Sequence, residues 1–139
     1  MPEVAVAMKT VDTVSLILVR GGKVLVERRR MDRVTYPGAI VVPGGHVEPG
    51  ECYEESCRRE LWEELGVECR GFTFDDCMLC VTDVEDQMNR WYICEDWVGE
   101  PRCTEAEEIF WIGRGDVDRL DLELDIKVIT RLFAEKVSP

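Results

Sequence analysis

The chain has 139 residues, 45% apolar and 33% charged, with a formal net charge of −12, the composition of one soluble globular domain spanning residues 1–139. The acidic balance excludes the basic footprint that polymeric nucleic acid needs and gives a polyphosphate no general attraction. No apolar run reaches the roughly 18 residues of a membrane span, and the opening MPEVAVAMKTVD lacks the parts of a signal peptide, so no membrane partner and a cytoplasmic location are expected.

In chain order, residues 3–8 alternate as a short edge strand would. Residues 11–19 and 23–29 are β-rich runs around Arg20-Gly21-Gly22, which predicts a hairpin. Along VLVERR the alternation puts Glu27 and Arg29 on one face and Arg28 on the other. Residues 31–37 are a loop, and residues 39–42 a short buried strand that Pro43-Gly44-Gly45 ends. A helix is expected over residues 51–65, with Gly66 as its left-handed stop. Two strands follow, residues 72–84 and 90–98, joined by a polar turn at 85–89. Residues 103–108 form an acidic loop, and residues 109–112 another strand. Asp116 caps a short helical turn. Residues 124–136 close the chain as a helix, with Ile126, Ile129, Leu132 and Phe133 recurring at three and four. Strands on both sides of a central helix, then a terminal helix, imply an α/β sandwich on a mixed sheet.

Seven cysteines are scattered along the chain, at 52, 57, 69, 77, 80, 94 and 103. Cys77 and Cys80 make a single CxxC on a strand, where positions three apart face opposite ways. Buried free thiols are therefore the expected state, rather than a zinc or redox site.

The chemistry concentrates between Gly44 and Val67. On a helix over residues 51–65, Glu60, Glu63 and Glu64 fall within an arc of about 100°. Cys57, Leu61 and Leu65 form the apolar stripe beside them. Like charges at this spacing weaken a helix. A solvated acidic face is the ordinary reading; a hard cation such as Mg²⁺ is the alternative that offsets the repulsion.

The surroundings decide for the cation. Gly45, Glu51, Arg59, Glu60, Leu61, Glu63, Glu64, Gly66 and Val67 spell G-x5-E-x7-R-E-U-x-E-E-x-G-U, where U is a bulky aliphatic, with all nine positions matched across 23 residues. This resembles the Nudix box, and the chain is identified as resembling a small, single-domain, MutT-type Nudix hydrolase. The resemblance implies an α/β/α sandwich and hydrolysis of a nucleoside diphosphate linked to another group, with Mg²⁺ or Mn²⁺ as cofactor. It implies metal ligation by Glu60, Glu63, Glu64 and the Gly45 carbonyl. Arg59 is expected to hold a ligand carboxylate in a forked pair, and Glu51 to tie the loop to the helix. The general base is a box glutamate or an acid of the 103–108 loop, with Glu105 preferred and Glu107 and Glu108 in reserve. Arg28 or Arg29 contacts substrate phosphate. His46 is read as incidental or substrate-facing.

On substrate, the ADP-ribose branch carries a proline after the box, and this chain has none between Pro49 and Pro101. What remains is a (d)NTP pyrophosphohydrolase giving the monophosphate and pyrophosphate, acting on oxidised or non-standard nucleotides. The alternatives are an ADP-ribose, nucleotide-sugar or dinucleotide polyphosphate hydrolase, and a non-catalytic nucleotide-sensing module. Asp125 is the candidate base-reading residue. A structural carboxylate at a helix start is its other reading. Trp91 and Trp111 are core or base-stacking positions. A monomer and a homodimer both fit.

Overall fold

In the computed structural model of the chain, which describes residues 8–136, two glycines make the first turn. Gly21 and Gly22 both have positive φ, the mirror-image turn that matches strand twist. They join β1 (Thr10–Arg20) to β2 (Lys23–Arg28). The next elements are β3 (Ile40–Val41), β4 (Gly44–His46), α1 (Tyr53–Leu65) and β5 (Glu68–Cys69). The long hairpin of β6 (Thr73–Val81) and β7 (Asp86–Cys94) follows, then β8 (Trp97–Val98), β9 (Glu108–Ile112), a 3₁₀ turn (Arg114–Arg119) and α2 (Glu123–Glu135). The alternating segment at residues 3–8 lies, Met8 apart, outside the described residues.

The main sheet runs β3-β2-β1-β7-β6, with β4 also on β1 and β9 also on β2. β1 and β7 are parallel and the other pairs antiparallel, so the sheet is mixed. Alternation along β1 supplies both faces. Leu16 and Leu18 pack with Cys57, Leu61 and Leu65 of α1, while Ile17 packs with Val128, Ile129, Leu132 and Phe133 of α2. One helix on each face makes an α/β/α sandwich. Among the described residues no helix is long and apolar enough to cross a membrane.

Three expectations are corrected. The hairpin turn lies at Thr82–Glu85, where Thr82 receives Glu85 N–H and donates to its carbonyl, so residues 86–89 are already strand. The run at 90–98 is two strands, β7 and β8, because β8 folds back onto β5. That fold-back also overturns the expectation of free thiols at one pair. Cys69 and Cys94, 25 residues apart, are joined as a disulfide. Cys52, Cys57, Cys77, Cys80 and Cys103 are free, but only Cys57 is fully buried; Cys77 and Cys80 are half-buried, and Cys52 and Cys103 are exposed, against the expectation of burial. Cys80 packs on the α2-side core, and Cys77 pairs in register with Arg90 on the other face, so the CxxC does not chelate.

Unfolded without reductant, the protein should titrate as five thiols, and as seven after reduction; seven from the start would contradict the pairing. Cys94→Ser should lower stability by about 3–4 kcal/mol, the entropy of closing a loop of this length, read from denaturant unfolding.

Candidate active site

Two glycines set the site. β4 lies against β1, with Gly44 opposite Ser15 and Gly45 opposite Val14. A Cβ on Gly44 would sit 1.9 Å from the Val14 carbonyl oxygen, and one on Gly45 would sit 2.4 Å from the Glu60 carboxyl. No other residue lets backbone approach this closely. The Gly-Gly turn therefore wedges main chain between β1 and the acidic face of α1.

The carboxylates there are not equivalent. Glu60 and Glu64 of α1 and Glu27 of β2 are 7%, 2% and 2% exposed, whereas Glu63 is at the rim. Burial pushes all three buried carboxyls up from the usual range. Glu64 is raised further by Glu27, whose carboxyl faces it. The Glu27 Oε2 atom is buried with no hydrogen-bond partner.

Arg59 supplies the counter-charge. It donates from Nε and Nη2 to the two Glu51 oxygens at 2.7 and 2.9 Å, and from Nη1 to Glu60 at 2.8 Å and Glu63 at 3.1 Å. Nη2 also donates to the His46 carbonyl at 2.8 Å. The fork holds Glu51 down to about 2, and the Glu51 hydrogen bonds hold the guanidinium well above its ordinary value. The forked pair thus falls on Glu51, and single bonds fall on Glu60 and Glu63. Glu51 also accepts Glu48 N–H at 2.8 Å, which ties the loop to the helix.

The last carbonyls of a helix need donors from elsewhere. In α1 they come from the loop after β8. Arg102 N–H donates to Leu65 O at 2.8 Å, Thr104 N–H to Glu64 O at 3.4 Å, and the Thr104 hydroxyl to Glu63 O. Glu107 N–H donates to Arg28 O at 2.9 Å. Pinned on both sides, the loop carries Glu105 close enough to raise Glu27, Glu60 and Glu64. Glu108 is taken by Arg28 at 2.9 Å.

Beside the carboxylates opens a cleft of about 360 Å³. Of the two hairpin arginines, Arg29 lines it and Arg28 turns to Glu108, as alternation requires. Arg29 is partly committed, since its Nε donates to the Thr35 carbonyl at 2.8 Å and its Nη2 to the Thr35 hydroxyl at 3.1 Å. This clamp fixes the neighbouring Tyr36, whose φ of 49° is uncommon for a side chain of its size. His46 borders the cleft and is bonded to Glu85 at 2.5 Å. Asp125 also lines it, but each oxygen is engaged: Oδ1 accepts Trp91 Nε1–H at 2.9 Å, and Oδ2 accepts Val42 N–H at 3.0 Å. Trp91 is core. Trp111 stacks on Trp97 beneath Arg20.

Sequence reasoning missed four residues here: Glu27, Arg33, Tyr36 and Asn89. Arg33 reaches Glu64 at 4.0 Å. A glutamate inside the apolar run VLVER was a usable signal for Glu27. The others carry none, since loop closure and strand register place them.

The donor chemistry fits a hard divalent cation. It offers oxygen atoms only, three carboxyls out of water, and one buried oxygen without a partner. Among the described residues no three acidic, histidine or cysteine side chains form a finished cage. Glu60 and Glu63 are instead drawn to Arg59.

The family profile for the NUDIX domain matches residues 9–133. Nucleoside triphosphatase NudI of Escherichia coli K12 is 33% identical over 113 residues, 73% of this chain and 80% of its own length. An 8-oxo-dGTP diphosphatase of Haemophilus influenzae is 27% identical over 108 residues, 77% of this chain and 79% of its own. The crystal structure of a MutT NUDIX hydrolase from Burkholderia pseudomallei superposes with a TM-score of 0.74 at 27% identity, covering 94% of this chain and 99% of that one.

The two glycines should fail differently. Gly44→Ala collides with backbone, so its unfolding free energy should fall by about 1–3 kcal/mol or more. Gly45→Ala collides only with the end of the Glu60 side chain, so it should keep most stability and lose hydrolytic turnover. Equal stability loss in the two variants would contradict this placement.

Proposed function

Because the chain belongs to the Nudix hydrolase superfamily, as a small single-domain MutT-type member, we propose that it hydrolyses nucleoside triphosphates to the monophosphate and pyrophosphate with a divalent metal. The observation that carries this reading is the buried Glu27–Glu60–Glu64 cluster, which adjoins an arginine-edged cleft through Gly45 and Arg33. One relative is a nucleoside triphosphatase and another an 8-oxo-dGTP diphosphatase, which points the same way.

Glu60, Glu64 and the Gly45 carbonyl, with Glu63 at the rim, are the groups that would hold Mg²⁺ or Mn²⁺. Its chemistry there is to neutralise phosphoryl oxygens and acidify a bound water. The chain's own residues supply the rest. Arg29 and Arg33 put positive charge at the cleft, where the net charge of the chain gives none, and so hold the phosphates. Glu105, whose charge reaches the buried glutamates, takes the proton of the attacking water as the bridging P–O bond breaks. Arg59 holds Glu60 and Glu63 in place through a guanidinium that Glu51 anchors. This is a positioning role exerted through the glutamates. Oxidised or non-standard triphosphates are the substrates the MutT-type pattern favours.

Incubation with Mg²⁺ and a panel of (d)NTPs, 8-oxo-dGTP, ADP-ribose and diadenosine polyphosphates should give pyrophosphate and a nucleoside monophosphate from the triphosphates. AMP from ADP-ribose with inert triphosphates would overturn the reading. Glu64→Gln should lower kcat by about 10²–10³-fold or more. Its unfolding midpoint should hold or rise, because the glutamine replaces a carboxyl whose ionisation burial and Glu27 disfavour.

A further inference from the structure

The face of the sheet beneath α2 changes character partway along. β1 and β7 pair in register as Ile17 with Ile93, Ser15 with Trp91, and Thr13 with Asn89. At the Ile17 end the row belongs to the apolar core. One step further, where the cleft replaces α2 as the cover, the same face presents Ser15, Thr13 and Asn89. All three are buried; Asn89 is 6% exposed. Apolar residues would close this surface at no cost in desolvation, whereas buried polar groups are costly unless each finds a partner.

The three form a small network. Thr13 Oγ1 donates to Asn89 Oδ1 at 2.7 Å, and Asn89 Nδ2 donates to Ser15 Oγ at 2.9 Å. A carboxamide has two N–H donors and two acceptor positions. Thr13 and Ser15 take one of each. One donor and one acceptor remain, side by side, on a side chain that borders the cleft. An adjacent donor and acceptor on a held amide is what a bidentate pair to a nucleobase edge requires. Asp125, the other candidate, already accepts one hydrogen bond at each oxygen and, when ionised, offers no donor to complete such a pair.

We propose that Asn89 selects the nucleobase through a paired hydrogen bond to one base edge, with Thr13 and Ser15 as positioning residues that fix its carboxamide. The proposal rests on the reading of the substrate as a nucleoside phosphate and names the part of the cleft that holds the base. The base lies over Asn89, between the Tyr36 wall and the β1–β7 floor. The phosphates run toward Arg29, Arg33 and Gly45.

The test uses Asn89→Asp. The carboxylate has the same shape, and the Thr13 and Ser15 hydroxyls can both turn to donate to it, so the network stays satisfied. What it shows the cleft is two acceptors. Guanine alone among the standard bases presents two adjacent N–H donors, at N1 and N2. Binding of the four nucleoside monophosphates by calorimetry, together with kcat/KM for the four triphosphates, should show guanine rising by about tenfold or more relative to each other base. Thr13→Val, which unpins the amide, should narrow the wild-type differences among bases, and Thr13→Ser should restore them. An unchanged ranking of bases in both Asn89→Asp and Thr13→Val, or no monophosphate bound by the wild type, would overturn the proposal. Re-ranked monophosphate binding in a protein that cleaves no triphosphate would sustain it and refute the hydrolase reading instead.

Discussion

Glu27, Glu60 and Glu64 are taken out of water next to one another, and much of the molecule is arranged around that fact. A carboxylate held in such a place disfavours its own charge, and a second one beside it disfavours it further. The surrounding structure offsets this from several directions. Arg59 bridges Glu60 and Glu63 and is itself anchored on Glu51. Gly44 brings main chain against β1 and Gly45 brings it up to Glu60, where any side chain would collide. The loop from Arg102 to Thr104 satisfies the open end of α1 and thereby adds Glu105 to the cluster. The Glu27 oxygen left without a partner shows that the compensation is incomplete within the protein.

The two faces of the sheet divide the work. On the α1 side the glutamates that would hold a metal sit on a helix backed by Leu61 and Leu65. On the other side α2 covers only part of the sheet, and the uncovered part is the floor of the cleft. Asp125, in the first turn of α2, marks the border. It holds Val42 N–H and the Trp91 indole, so the helix is locked to the sheet where cover ends and cleft begins. Burial raises Asp125 to about 6, in keeping with a structural carboxyl and not a solvated one.

What was legible in the sequence is what local chemistry determines. The Gly21-Gly22 turn, the stop at Gly66, the acidic arc of α1 and the stripe on α2 all follow from spacing along one segment, and each is present. Alternation in VLVERR separated Arg28 from Arg29 correctly. Contacts between distant segments were not legible. The Cys69–Cys94 disulfide needs β8 to fold back on β5. Glu27 meets Glu64 only because β2 passes under α1. Asn89 meets Thr13 only through the parallel β1–β7 register. In the sequence alone, Asn89 was placed at the end of a turn, since Asp86 to Asn89 carry no apolar alternation.

On the proposed reading, a divalent cation would complete the buried carboxylates as a set. The most direct measurement is the unfolding midpoint of the wild type and of Glu64→Gln with and without saturating Mg²⁺ or Mn²⁺, in the absence of nucleotide. Binding to the folded state alone should stabilise the wild type by about 3 kcal/mol when the ion is at a hundredfold its dissociation constant, and the variant far less. Equal shifts in the two proteins, or no shift in the wild type, would contradict the claim.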